Sequence, residues 1–227
     1  MKINADFDKR VVVHGDTVEW LHSPAAGVDR RPLDRIGGEV ARATTIVRFA
    51  PDSRFDAHVH GGGEEFLVLD GVFEDEFGAF PAGSYIRNPP TSRHTPGSGP
   101  GCTILVKLWQ MQPDDRTEVR IDTARAEKQS PQDRPGVTVT PLFDDGRENV
   151  RIEDWEPGTQ GRIAAEDGGE LFVIAGSASE SGTALRPLSW VRVPLGAAFQ
   201  ITAGPQGARF WIKTGHLRDV RAPAAAA

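Results

Sequence analysis

The sequence holds one cysteine, Cys102. A single thiol excludes an intrachain disulfide and any zinc site built from several cysteines. The first ten residues are polar and lack the apolar core of a signal peptide. No apolar run approaches the ~20 residues that a membrane-spanning helix needs. Positive charge is also short: the formal net charge is -6. A nucleic-acid binder needs a cationic footprint to displace counterions from phosphate, and a membrane-surface helix needs a basic amphipathic stretch. Neither is present. The default expectation is a cytoplasmic protein, with a small-molecule ligand or substrate and a homodimer as the partner classes left open. Neither nucleic acid nor membrane is expected. The Gly-x4-Gly-Lys phosphate loop, the dinucleotide fingerprint and the Gly-x-Ser-x-Gly elbow are all missing. Gly97-Ser98-Gly99 lies in a Pro/Gly loop with no helical pattern after it. Long apolar stripes of helical period are absent too, and only Thr123–Gln129 could hold one helical turn.

What the chain does contain is 25 glycines and 17 prolines, spread throughout its 227 residues. Between them lie short apolar runs of strand character: Thr44–Phe49, Phe55–His60, Glu65–Leu69, Ser84–Arg87 and Thr103–Trp109. Val137–Thr140, Leu171–Ala175, Ser189–Val193 and Arg209–Lys213 follow. Short strands at regular spacing, punctuated by turn residues, predict an all-β sandwich or barrel. The alanine-rich end, residues 223–227, is expected to fray.

The sequence repeats itself. Glu65-Phe-Leu-Val-Leu-Asp-Gly71 aligns with Glu170-Leu-Phe-Val-Ile-Ala-Gly176, an offset of 105. The same offset pairs Ser84-Tyr-Ile-Arg87 with Ser189-Trp-Val-Arg192, Pro89 with Pro194, and Gly99-Pro100 with Gly204-Pro205. Upstream, Gly27-Val28 and Pro32-Leu33 match Gly136-Val137 and Pro141-Leu142 at an offset of 109. A gap-free register from strand to strand predicts two tandem copies of one all-β unit, residues 1–112 and 113–227.

The segment richest in chemistry is His58-Val-His60-Gly-Gly-Gly-Glu64-Glu65. Residues two apart on a strand share a face, so His58 and His60 project together. Three glycines can turn the chain tightly, because glycine tolerates positive φ. The returning strand then opens on Glu64 or Glu65. Two imidazoles and a carboxylate on adjacent strands suit a borderline divalent metal. His94, after the rigid Asn88-Pro89-Pro90, is a fourth candidate. Arg87 could hold an anionic substrate, or could equally serve a structural ion pair, since Arg192 stands at its place in the second copy. Glu65 reads as a solvent-facing or structural residue, and Glu74-Asp75-Glu76 as a solvated hairpin. Tyr85, Trp190 and Cys102 read as core. His14, His22 and His216 read as ordinary surface or strand histidines. The second copy carries Ile163, Ala165, Gly169 and Phe199 at the four ligand positions. It is therefore expected to bind no metal, giving one divalent ion per chain.

His58-x-His60-x3-Glu64-x6-Gly71 resembles the first cupin motif, and Pro81-x-Gly83 followed by His94 resembles the second. The stretches Arg48–Arg54, Gly63–Gly71, Pro81–Ser84 and Arg87–Pro90 are most similar to the cupin half of ChrR anti-sigma factors and to acetylacetone-dioxygenase-like cupins. The likeness covers roughly Trp20 to Gln110 directly, and the remainder only through the repeat. The resemblance implies two tandem cupin, jelly-roll type β-barrels. It also implies a His3Glu site at His58, His60, Glu64 and His94 for Zn or Fe(II), with Mn or Ni as alternatives. The x6 spacing selects Glu64 over Glu65. Two functions are implied. One is a dioxygenase-like enzyme cleaving a small diketone or aromatic ketone, with Phe66, Val68 and Phe77 lining its pocket beside Arg87. The other is a zinc-binding sensor or regulatory module without turnover. ChrR's zinc-binding helical domain, with its His-x3-Cys-x2-Cys pattern, has no counterpart here, so sigma-factor binding is not implied.

Overall fold

The computed structural model describes residues 1–223; residues 224–227, part of the end expected to fray, lie outside the described residues. The chain divides into two compact units. In the first, the main sheet runs in the order Lys2–Ile3, Val28–Gly37, Ala41–Phe49, Cys102–Leu108, Glu64–Asp75, Ser84–Asn88, Val119–Asp122. Short strands at Ser53–Arg54, Gly78–Pro81 and Gly97–Ser98 branch from this path, and His58–Val59 pairs separately with Arg93–His94. In the second unit the order is Val137–Asp144, Asn149–Trp155, Ala197–Thr214, Gly169–Glu180, Ser189–Val193, Val11–His14. All named pairings are antiparallel. These are two all-β cupin-type barrels. Thr123–Gln129 forms a turn and not a helix, and the one helical element described is a 3-10 turn at Gly15–Thr17. Among the described residues no helix is long and apolar enough to cross a membrane.

The unit boundary does not fall at residues 112/113. Residues 6–17 belong to the second unit and residues 113–125 to the first. The reason is a repeated edge addition. Val119–Asp122 pairs with Ser84–Asn88, and Val11–His14 pairs with the equivalent strand Ser189–Val193. Each added strand satisfies backbone groups that an open edge would leave unpaired. Arg87 and Arg192 hold the chain leading into these strands. Buried Arg87 donates to the Asp115 carboxylate and to the Thr117 carbonyl at 3.0 Å. Arg192 donates to the Asp6 carbonyl at 3.0 Å and lies over the Phe7 ring. Arg10 adds an ion pair to buried Glu180.

Each barrel has its own apolar core. Val28, Val47, Phe49, Phe66, Val68, Phe73, Ile86, Ile104 and Val106 belong to the first. Leu171, Val173, Ala178, Phe199, Phe210 and their neighbours fill the second. Along Glu64–Asp75 the inward set is first even, Phe66 and Val68, and then odd, Phe73. The change of parity comes from a bulge. Ile104 pairs with Val68 and Thr103 with Asp70, so Leu69 is the extra residue. The second barrel repeats it: Phe210 pairs with Val173 and Arg209 with Ala175, leaving Ile174 extra.

Gly71 and Gly176 close these two bulges, at φ 73° and 74°. A Cβ on Gly71 would lie 2.0 Å from the Gly101 carbonyl oxygen, and one on Gly176 would lie 2.2 Å from that of Gly207. Gly182 shares the positive φ, 80°, but faces open space. Gly182→Ala should therefore cost only the left-handed strain, about 1–2 kcal/mol. Gly71→Ala and Gly176→Ala should cost clearly more, because carbonyl backbone must also move. Urea unfolding of the three variants checks the ranking. Equal costs would show that the bulges tolerate a side chain.

Cys102 is buried on the strand beside Gly71. Burial pushes its thiol up to about 11, against a hydrogen bond from Ser98. The thiolate is the reactive form, so iodoacetamide should leave native protein unmodified at pH 7.5. Mass spectrometry should find one adduct only after unfolding.

Candidate metal centre

Four donors converge at one end of the first barrel. His58 and His94 face each other across the short antiparallel pair His58–Val59/Arg93–His94. His60 continues past that strand, with its amide donating to the Ser92 carbonyl at 3.0 Å. Glu64 opens the next long strand on its inward face, opposite Asn88. One ligand atom from each of the four lies within 4.8 Å of the other three. His60 Nε2 and His94 Nε2 are 3.2 Å apart, and each is 3.4 Å from Glu64 Oε2. Ligands about 2.0–2.2 Å from one cation, in tetrahedral or octahedral array, sit about 2.9–3.5 Å from each other. The donor set and its spacing thus fit a divalent cation.

Each donor is held from behind. His94 Nδ1 meets Asp75 Oδ2 at 3.2 Å. His60 Nδ1 meets Ser92 Oγ at 2.9 Å, and Ser92 donates its own hydroxyl proton to the Pro89 carbonyl at 2.6 Å. Ser92 therefore accepts from His60, which fixes the tautomer with a free Nε2 lone pair. His58 Nδ1 faces the Asp56 carbonyl at 3.2 Å, and Asn88 Nδ2 donates to Glu64 Oε2 at 3.2 Å. Burial lowers the pKa of His60, opposed by the Glu64 carboxylate. For His94 burial acts in the same direction, but the Asp75 hydrogen bond and the Glu64 and Asp75 charges outweigh it and hold the imidazole above its ordinary value. At His94 the surrounding carboxylates thus favour positive charge.

Gly61-Gly62-Gly63 serves more than a turn. Only Gly63 has positive φ, 77°. A Cβ on Gly61 or Gly62 would lie 2.8 Å or 2.4 Å from the Trp109 indole, so these two glycines let that ring lie flat on the loop. Trp109 itself has φ 60°, an uncommon conformation for a bulky residue. Its amide donates to the Gly63 carbonyl. In the second barrel Gly215 makes the same bond to Gly168, at φ 90°. The first barrel accepts strain that glycine avoids in the second, and places an indole beside the donors in return.

A cavity of about 310 Å³ adjoins the donors. His58, His60 and Glu64 contribute to its wall, together with Trp109 and apolar residues such as Phe49 and Val106. The expected pocket residues are elsewhere. Phe66 and Val68 are buried in the core, outside this lining. Phe77 is exposed at the Asp75–Gly78 hairpin, under the Arg120 guanidinium. Arg87 points away from the cavity, because Tyr85 and Arg87 share the outer face of their strand while Ile86 faces the core. Glu65 is also outward but buried, accepting the Tyr85 hydroxyl at 2.7 Å; Glu170 accepts Trp190 Nε1 at 2.9 Å in the same place. His216 is buried as well, 2.9 Å from Glu170. Asp75 stands at the hairpin but is not solvated there: its side chain is fully buried against His94.

Asp75, Ser92, Asn88 and Trp109 were not evident from the sequence as parts of the site. Asp75 is legible only to a reading that anticipates the bulge. In the second barrel, Ile163 pairs with Phe199 where His58 pairs with His94. Both are buried core residues, Ala165 is buried, and Phe199 packs 3.0 Å from where a Gly169 Cβ would stand.

Residues 8–112 match the family model of the ChrR cupin-like domain. No curated protein matches the sequence. Among solved structures, a candidate dioxygenase from Nostoc punctiforme is 14% identical, with a TM-score of 0.76 over 97% of this chain and 88% of that one. The pirin YhhW from Escherichia coli, in complex with nickel(II), is 15% identical, with a TM-score of 0.66 over 91% and 99%. Oxalate decarboxylase from Lactobacillus farciminis, as a formate complex, is 9% identical, with a TM-score of 0.64 over 90% and 86%. At these identities the likeness is one of fold.

His58→Ala, His60→Ala, Glu64→Ala and His94→Ala should each lower bound metal sharply, while Glu65→Gln should not. Asp75→Asn should weaken metal affinity by about 10–100-fold without removing a ligand. Elemental analysis of dialysed protein should return one equivalent per wild-type chain. Full occupancy in His58→Ala, or a second equivalent that survives loss of both His58 and His60, would overturn the assignment.

Proposed function

We propose, from the match of residues 8–112 to the family model of the ChrR cupin-like domain, that this chain is a metal-dependent enzyme of dioxygenase type acting on a small carbonyl compound. A β-diketone or aromatic ketone is the substrate class considered. One observation carries the reading: the cavity is lined by three of the four donor residues, His58, His60 and Glu64, and continues into an apolar chamber. A structural zinc site surrounded by its ligands has no use for such a space, whereas a catalytic site keeps coordination positions open toward it.

His58, His60, Glu64 and His94 would hold one divalent ion, Fe(II) or Zn in the first instance, with Mn or Ni as alternatives. Such an ion supplies Lewis-acid polarisation of a chelated carbonyl and, as Fe(II), redox capacity toward dioxygen. The protein's own contribution is positional. Asp75 and Ser92 keep the His94 and His60 rings oriented through their Nδ1 atoms. Asn88 steadies Glu64. Phe49, Val106 and Trp109 give the chamber an apolar wall that excludes water from a bound carbonyl compound.

The test is oxygen uptake by protein purified without oxygen and loaded with Fe(II), against a panel of β-diketones and aryl ketones. The expected outcome is uptake stoichiometric with substrate loss, abolished in His60→Ala. A protein that retains only zinc and consumes no oxygen in any loaded form would favour a binding or sensing role.

A further inference from the structure

The cavity wall also contains charge that the metal chemistry does not need. Val28, Arg30 and Arg35 line it from the strand Val28–Gly37, and Glu39 lies just beyond. Arg30 pairs in register with Val47, an inward core residue that lines the same space. Arg35 turns to the carbonyls of Gly38 and Glu39. Arg30 is half-buried and, among the described residues, its guanidinium makes no hydrogen bond or ion pair. Burial and the neighbouring Arg35 hold its guanidinium below its ordinary pKa, with Glu39 opposing. Several other arginines meet a carboxylate of the chain: Arg87 meets Asp115, and Arg134 and Arg151 both meet Glu153. A guanidinium left in a partly desolvated wall, without a carboxylate of its own, is costly unless a ligand supplies one.

The repeat adds an independent argument. At the offset of 109 that aligns the strands Val28–Gly37 and Val137–Asp144, Arg30 falls on Val139, a core residue of the second barrel. Register agrees: Val28 pairs with Phe49 as Val137 pairs with Trp155, and Arg30 and Val139 are each two residues further on. The barrel that lacks the four donors also lacks the arginine. Arg30 and Arg35 balance Glu39 and Glu64 in the cavity lining, so a bound divalent ion would leave the cavity net positive.

We infer that the cavity takes a small carbonyl compound that is also an anion, its carboxylate bound by Arg30 and its apolar body against Val47, Phe49 and Val106. The inference deepens the reading of this cavity as the substrate site and rests on it. It transfers to Arg30 the anion-binding role that the sequence offered to Arg87. Guanidinium and carboxylate match as a two-point, charge-assisted pair.

The experiment compares 4-oxo-4-phenylbutanoate with its methyl ester, by isothermal titration calorimetry on metal-loaded protein. The two probes share the aryl ketone and differ in charge. Wild type should bind the acid about tenfold or more tighter than the ester. Arg30→Gln should erase that preference while leaving ester affinity unchanged, and Arg30→Lys should keep part of it. Equal affinities in wild type, a preference that survives Arg30→Gln, or binding of neither probe would overturn the inference. Binding is read without turnover, so failure of the oxygen-uptake test leaves this result standing. Conversely, β-diketone turnover without any acid preference would remove the anion site and keep the enzyme.

Discussion

One bulge governs the site. On a regular strand, side chains alternate, and Glu64 and Asp75, eleven positions apart, would face opposite sides of the sheet. The extra residue Leu69 shifts the parity between Val68 and Phe73. Glu64 at one end and Asp75 at the other can then both serve the barrel interior, one as donor and one behind His94. Gly71 makes the shift feasible, since only a residue without Cβ can sit so close to the Gly101 carbonyl at that φ. Strand pairing, core packing and the orientation of the His94 imidazole thus depend on one local irregularity.

The two barrels provide an internal control on which features belong to fold and which to chemistry. Both have the bulge, the glycine that closes it, the buried outward glutamate with its aromatic donor, and the arginine that holds an added edge strand. These persist where no donor remains, so folding accounts for them. The four donors, Arg30 and Trp109 occur only in the first barrel. Where the first has His58 opposite His94, the second has Ile163 opposite Phe199. Burial of two large apolar side chains there contributes about 1.5–3 kcal/mol each, so the second barrel has core where the first has donors.

Chain crossing between the units follows from the same economy of edges. An exposed strand edge invites unwanted pairing. The strand Ser84–Asn88 is covered by the later strand Val119–Asp122, and its equivalent Ser189–Val193 by residues from the beginning of the chain. A division of the sequence by repeat length alone assigns both covering strands to the wrong unit.

Much was determined by the sequence alone. Glycine and proline punctuation with short apolar runs specified an all-β chain, because turns demand those residues and strands demand the runs between them. The constant offset specified two copies. The spacing of His58 and His60 and the glycine turn brought two imidazoles and a carboxylate together, since two-residue periodicity and a short turn are local properties; the resemblance to the cupin motif chose Glu64 over Glu65. The tertiary structure decided what rests on contacts distant in the chain. It turned Arg87 outward and Arg30 inward, buried Asp75, placed Phe66 and Val68 in the core and Phe77 at a hairpin tip, and laid Trp109 over the glycines. Sequence parity predicts a facing only until a bulge resets it, and it cannot say which of two inward faces borders a cavity or is packed solid. That choice is made by the strands that close the barrel, which lie tens of residues away.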